Sequence, residues 1–167
     1  KKTNAFDKIL RMNQRPCQHM ICVCTRLTQA KLITDRHAET LLKGIQDMWI
    51  RPYGAPRVLE SDQEGAFRSD NLRTWLQRAG TELILKPKNT HTWMVEKHHD
   101  ILRQLYVRIK AQCEEEGLTY DDEDILAQAV IAKNLLTTVG RYSPQQAVFR
   151  IQPGILPDST AVSSTLE

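Results

Sequence analysis

The stretch ESDQEGAF, residues 60–67, is the part of this sequence that says most about its fold. It closes a run, Arg57–Ser61, that is typical of a short buried β-strand, and it continues into a turn at Gly65. Asp62 therefore lies at the end of a predicted strand. An ionised carboxylate in such a place is costly unless a cation or a metal ion pairs with it, so Asp62 is a candidate functional residue.

Apolar patterns on the N-terminal side of this stretch predict three strands followed by a helix. The strands are 5–10, 19–25 and 29–34, and their succession along the chain is typical of a three-stranded meander. Apolar residues then recur at helical spacing over residues 37–50. The segment Pro52–Pro56, which holds two prolines and a glycine, is predicted to end this helix.

On the C-terminal side, strands and helices alternate. The pattern predicts a helix at 69–79 with Gly80 as its C-cap, a strand at 81–85, a loop at 86–93, a long helix at 94–115 that Gly117 ends, and helices at 121–138 and 145–149. We expect one α/β domain over residues 1–157, with a central sheet flanked by helices, and a loosely ordered tail at 158–167. The pattern alone leaves several folds open.

Two further acids occupy unusual positions. Asp7 interrupts the first predicted strand, and Glu96 lies just inside the long helix. If the first and fourth strands are neighbours, Asp7 and Asp62 converge at one end of the sheet, and a helix packed on that sheet can bring Glu96 to the same point. Three carboxylates suit one or two Mg²⁺ ions. The ordinary alternative is that Asp62 caps a turn and Glu96 stabilises a helix start.

The same residues resemble a known family. The stretch 60–67 resembles the Ser-Asp-x-Gly-x-x-Phe segment that carries the second acid of integrase cores, and MVEK, residues 94–97, resembles the start of the third-acid helix. Asp7 and Asp62 are 55 positions apart and Asp62 and Glu96 are 34 apart, close to the separations usual in that family. Residues 143–149, with Pro153 and Pro157, are similar to a stretch of LTR-retrotransposon integrases. The resemblance to retroviral and LTR-retrotransposon integrase catalytic cores covers roughly residues 3–157.

This resemblance implies an RNase H-like fold, with a mixed five-stranded sheet flanked by helices, and a DNA-integrating enzyme. Asp7, Asp62 and Glu96 would be catalytic and would hold two Mg²⁺ or Mn²⁺ ions, with Asp7 bridging them. Water or a DNA 3′-hydroxyl would attack a phosphodiester without a covalent enzyme intermediate, which gives 3′-end processing and strand transfer. The implied partners are element-end DNA, target DNA and further copies of the chain, in the nucleus after a cytoplasmic stage.

The sequence departs from the family pattern at two places. The family glycine two residues after the second acid is Glu64 here, with Gly65 one place later, and residues 89–94 lack the glycine usual before the third acid. These departures keep open a catalytically silent, domesticated module that binds DNA or protein. A simple RNase H-like nuclease shares the chemistry but has no support from the residues that flank Asp62 and Glu96.

Basic residues before and within the long helix are the candidate DNA contacts, although each can equally be a solvated surface charge. In the family, basic residues one and two turns beyond the third acid touch DNA; Asp100 departs from this pattern and Arg103 keeps it. The candidates are Lys86, Lys88, Lys97, His99 and Arg103.

The overall composition restricts the remaining function classes only weakly. Lys and Arg number 23 against 20 Asp and Glu, a net charge of +3, so any basic surface must be local. No stretch approaches the roughly 18 apolar residues of a membrane span, and we expect a soluble protein that is a fragment of a longer polypeptide.

The cysteines, histidines and tryptophans favour structural roles. The four cysteines show no C-x-x-C spacing, and Cys22 and Cys24 lie in an apolar run, so we expect free thiols in a reducing compartment. His91, His98 and His99 raise a zinc site as an alternative, but without the usual ligand spacing. Packing is the favoured role of the tryptophans, and only the third is close to the predicted site. They are Trp49, Trp75 and Trp93.

Overall fold

The computed structural model describes residues 4–12, 15–62, 65–87, 93–138 and 140–150, without the side chains of residues 4, 6–11, 62, 93 and 94. The predicted tail at 158–167 and the domain boundary at residue 157 lie outside these ranges. None of the described helices is both long enough and apolar enough to cross a membrane.

Strands and helices follow one another much as the sequence predicts. The strands are β1 (Asn4–Met12), β2 (Arg15–Cys22), β3 (Thr28–Leu32), β4 (Val58–Asp62) and β5 (Glu82–Lys86). The α-helices are α1 (Ala38–Ile45), α2 (Arg51–Tyr53), α3 (Asp70–Arg78), α4 (Trp93–Glu115), α5 (Asp122–Leu136) and α6 (Pro144–Phe149), with a π-helical turn at Gln46–Ile50 and a 3₁₀ turn at Gly65–Arg68. The predicted mixed α/β class is confirmed.

The strands lie side by side in the order β3-β2-β1-β4-β5. The pairs β1–β2 and β2–β3 are antiparallel, which confirms the predicted meander, whereas β4 and β5 join the sheet in parallel. Parallel neighbours need a crossover connection, and α1 with its extension, followed by α3, supplies the two crossovers. This arrangement puts β1, the strand of Asp7, at the centre of the sheet.

Helices cover both faces of the sheet. Successive side chains of a strand point to opposite faces, and β2 is buried along most of its length on both sides. On one face Met20 packs in a cluster with Leu41 of α1, and α3 joins the same cluster. On the other face Cys17 packs with Leu102 of α4 and Leu126 of α5. The two clusters hold the sheet between two helical layers.

The first helix ends within the predicted segment Pro52–Pro56, three residues later than expected. It continues through the π-helical turn and ends at Tyr53, where Gly54 adopts a φ of +80°. The π-helical turn already departs from the regular i to i−4 hydrogen-bond ladder. Pro52 is the second residue after this turn, in the first turn of α2, and it removes little because the N–H it lacks is not needed there.

The bounds of the second strand also differ from the prediction. β2 occupies Arg15–Cys22 instead of 19–25, and Cys24 is exposed in the turn that follows, not buried in a strand. The turn closes through hydrogen bonds from Arg26 N to Cys22 O and from Cys22 N to Leu27 O. The four cysteines are free thiols, as predicted.

Candidate metal and nucleic-acid site

The backbone brings the first two candidate acids to neighbouring strands. Asp7 pairs with Ser61 in the parallel register of β1 and β4, and Asp62 is the next residue and the last of its strand. The condition on which the sequence-based hypothesis depended, that the first and fourth strands are neighbours, is therefore met. The two side chains themselves lie outside the description, so their convergence on one point stays a prediction.

The third acid reaches the same level of the sheet because of how α4 packs on β2. Val95 is buried against Ile21, and the rings of His99 and His19 meet edge to face with centroids 4.5 Å apart. Ile21 and His19 pair with the residues of β1 on either side of Asp7. The start of α4, which carries the half-buried Glu96 in its first turn, therefore crosses the sheet at the level of Asp7.

The donor chemistry of these three positions suits a hard divalent cation. Carboxylate oxygens are the ligands that Mg²⁺ and Mn²⁺ take in phosphoryl-transfer sites, together with water and substrate phosphate. Among the side chains that the structure describes, which do not include those of Asp7 and Asp62, no three His, Cys, Asp or Glu residues gather as a metal site. By its donor chemistry, this set of three carboxylates suits Mg²⁺ or Mn²⁺.

The candidate DNA contacts differ in their exposure and in their ion pairs. Lys97 is exposed beside Glu96, and Arg103 is exposed further along α4 with its guanidinium 3.4 Å from a carboxylate oxygen of Asp100. Lys86 lies at the end of β5 with its ammonium 3.1 Å from a Glu60 carboxylate oxygen across the parallel pair. A pairing of this kind competes with a phosphate for the lysine. Lys88 lies outside the described residues.

His99 is not a surface residue, which corrects its prediction as a DNA contact. Its side chain is 4% exposed because it packs between α4 and β2 against His19. His98, on the next position of the same turn, is also buried. The apolar periodicity of α4 predicted a single buried face and placed His99 on the exposed polar side. In the structure the first turns of α4 are buried over more than that face, so that His98 and His99 are covered as well as Val95.

A buried cluster of basic groups lies beside the candidate site and was not predicted. Lys133 of α5 is fully buried, and its pKa falls from 10.5 to about 7, first because of burial and then because of the charge on Arg26. Burial, followed by the charges of Lys133, Arg26 and Lys97, lowers the pKa of His98 to about 4. Burial also holds the pKa of His19 well below its usual value.

One sequence signal could have revealed this cluster. Lys133 continues the apolar stripe of α5, four residues after Ala129, where a lysine breaks an otherwise buried face. A charged residue in such a stripe is unusual in a soluble core and points to a local structural or functional demand.

The polar contacts of Lys133 and its neighbour Asn134 converge on the turn between β2 and β3. Lys133 Nζ donates to Thr28 Oγ1 and, at 3.5 Å, to the carbonyl oxygen of Arg26. Thr28 N donates to Asn134 Oδ1 at 2.9 Å, and Asn134 Nδ2 donates to Thr28 O at 2.8 Å. The Asn134 side chain, near the end of α5, thus satisfies both the N–H and the carbonyl of Thr28, the first residue of β3, as the backbone of a neighbouring strand would.

Known proteins resemble this chain in fold but not closely in sequence. No protein-family model matches the chain, and no curated protein does. Among solved structures, the catalytic core domain of BIV integrase is similar with a TM-score of 0.76, over 88% of this chain and 93% of that domain, at 16% sequence identity. A likeness at this identity speaks for architecture and not for shared chemistry. The chain has the fold of an integrase catalytic core.

Proposed function

We propose that this chain is a polynucleotidyl transferase of the integrase kind, which processes DNA 3′ ends and joins them to target DNA in a Mg²⁺- or Mn²⁺-dependent reaction. The supporting observation is the strand register, which sets Asp7 beside Ser61 and hence next to Asp62, with the first turn of α4 crossing at the same level. This arrangement occurs in a chain whose fold is that of an integrase core.

In this proposal, Asp7, Asp62 and Glu96 hold two metal ions. When bound, such ions activate the attacking water or 3′-hydroxyl and neutralise the charge that develops on the leaving oxygen. Asp7 would hold them from the central strand, Asp62 from the end of β4 and Glu96 from the first turn of α4. Rigid support matters because in-line displacement tolerates little misplacement, and the packing of Val95 and His99 on β2 provides it for Glu96.

The proposed substrate is DNA, and the basic residues around the acids would position it. Lys97 is the described cation closest in sequence to Glu96, with Arg103 two turns along the helix and Lys86 and Lys88 before it. Action in the nucleus and assembly into a dimer or a larger complex belong to the same proposal, since joining two DNA ends to one target calls for more than one copy.

The test is strand transfer on a branched oligonucleotide with Mg²⁺ or Mn²⁺, comparing the parent chain with Glu96→Gln. Loss of one metal-binding carboxylate should lower the rate by about 100-fold or more, since the lost stabilisation amounts to several kcal/mol. Glu114→Gln, an exposed change at the far end of the same helix, is the matched control and should keep the parent rate.

Equal activity of the parent and Glu96→Gln would disprove the assignment of Glu96. A parent chain that is inactive, and that binds no Mg²⁺ or Mn²⁺ by calorimetry, would favour instead a silent module that keeps the fold and binds DNA or protein.

A further inference from the structure

The turn between β2 and β3 carries an arginine in an unfavourable backbone conformation. Arg26 has a φ of +62°, in the left-handed region that side chains other than glycine and asparagine rarely adopt. Strain of this kind is retained where surrounding structure overrides it, and it is frequent at functional sites. A glycine or an asparagine would form the same turn at a lower cost, so the turn alone does not explain an arginine.

The support for this turn is itself costly. Lys133, buried without exposure, donates to the Arg26 carbonyl and to Thr28, and Asn134 makes two hydrogen bonds to the Thr28 backbone. A buried ammonium lowers stability unless charged partners offset its desolvation. The hydrogen-bond partners of the Lys133 ammonium are the Thr28 hydroxyl and the Arg26 carbonyl, neither of which is charged. Two unfavourable features therefore occur together in this segment: the left-handed conformation of Arg26 and the buried Lys133 that supports it.

The turn lies beside the first turns of α4, where the candidate site is. Ile21, the residue before the last of β2, packs against Val95 in the first turn of α4, and the turn follows directly, closed by the hydrogen bond from Arg26 N to Cys22 O. Arg26 is half-buried, and its guanidinium donates through Nη1 to Val23 O, a contact that engages only part of its five N–H groups.

We propose that Arg26, held by the Lys133 and Asn134 contacts, binds a backbone phosphate of the DNA together with Lys97 at the start of α4. Arginine suits this role because its planar guanidinium can bind a phosphate through two parallel N–H groups. The contact would be independent of base sequence and would align the strand that passes the acids. This inference rests on the proposed function, because it assigns a further contact to the same DNA site.

DNA binding measured by fluorescence anisotropy in EDTA, over a range of salt concentrations, tests the contact apart from catalysis. The informative change is Arg26→Asn, because asparagine tolerates the left-handed conformation and removes the charge. Binding should weaken by about fivefold, and the slope of log K against log salt should fall by about 0.9, the amount for one phosphate contact. Arg26→Lys should restore most of the salt slope.

The matched control is Arg36→Asn, an exposed arginine in the loop before α1, on the other face of the sheet. It should leave affinity and salt slope unchanged. If Arg26→Asn binds with the parent's affinity and slope while the parent performs Glu96-dependent strand transfer, this inference fails and the proposed function stands. A parent that binds no DNA at low salt would overturn both.

Discussion

Lys133→Met replaces the buried ammonium of α5 by a side chain of similar length and no charge, and we expect it to stabilise the protein. Lys133 is fully buried in the folded chain, and burial lowers its pKa from 10.5 to about 7. At 1.36 kcal/mol per pH unit, the shift corresponds to about 4 kcal/mol of lost stability at pH 7. The two hydrogen bonds of the ammonium, each worth about 1 kcal/mol net, are lost with it.

The expected gain at pH 7 is therefore about 2 kcal/mol, and it should depend on pH. The folded-state pKa of Lys133 lies below that of the unfolded chain, so between about pH 7 and 10.5 the unfolded chain binds more protons. The parent thus becomes more stable as the pH rises through this window, whereas the methionine variant lacks this contribution. The advantage of Lys133→Met should shrink by about 2 kcal/mol between pH 7 and pH 9.

Urea unfolding followed by circular dichroism at pH 7 and pH 9 measures both quantities. Lys43→Met, on the exposed side of α1, is the control and should change the free energy of unfolding by less than about 0.5 kcal/mol at either pH. The Arg26 carbonyl keeps a hydrogen bond from Thr28 Oγ1 at 3.2 Å, so the variant leaves no orphaned carbonyl there. A variant less stable than the parent at pH 7, or a difference that is the same at both pH values, would refute the reasoning.

Two further changes test the packing around the site. Gly44→Ala should destabilise the protein by about 1–3 kcal/mol despite the better helix propensity of alanine, because the alanine Cβ would lie 1.8 Å from Oε1 of the buried Gln18. Urea unfolding measures this loss of stability, with Lys43→Ala on the same helix as the control. Asn134→Ala should cost about 2–3 kcal/mol and speed amide exchange at Thr28, whereas Asn134→Asp, which keeps the acceptor, should retain more of the exchange protection. Unchanged exchange in the alanine variant would contradict the role of Asn134 in holding the Thr28 backbone.

Much of the architecture could be predicted because it depends on local patterns. Period-2 and helical apolar spacing located each strand and helix to within a few residues, apart from the two segments discussed above, and Gly80 follows α3 with a φ of +77° as a residue just past a helix end should. Trp49 and Trp75 pack in the core, as expected of large apolar side chains. These features follow from chemistry within a turn or two of the chain.

Other features required knowledge of what each element packs against. His99 looked like part of a polar stripe, yet β2 covers it, and Cys24 looked like part of a strand, yet the turn at Arg26 exposes it. The first helix ends at Tyr53, a few residues later than its apolar spacing predicted, because the π-helical turn before Pro52 makes the missing N–H of that proline harmless. In each case a tertiary neighbour or an unusual backbone turn overrode a local preference.

The sequence by itself determined the mixed α/β class, the order of the elements and the three acids at family-like separations, because burial patterns and motif spacing are written along the chain. Only the tertiary structure decided that β1 and β4 are neighbours in a register that sets Asp7 beside Ser61, and that α4 crosses β2 at that level. It also brought Lys133 to the Arg26 turn across 107 positions. Contacts over such separations depend on the packing of whole elements, which no local pattern encodes.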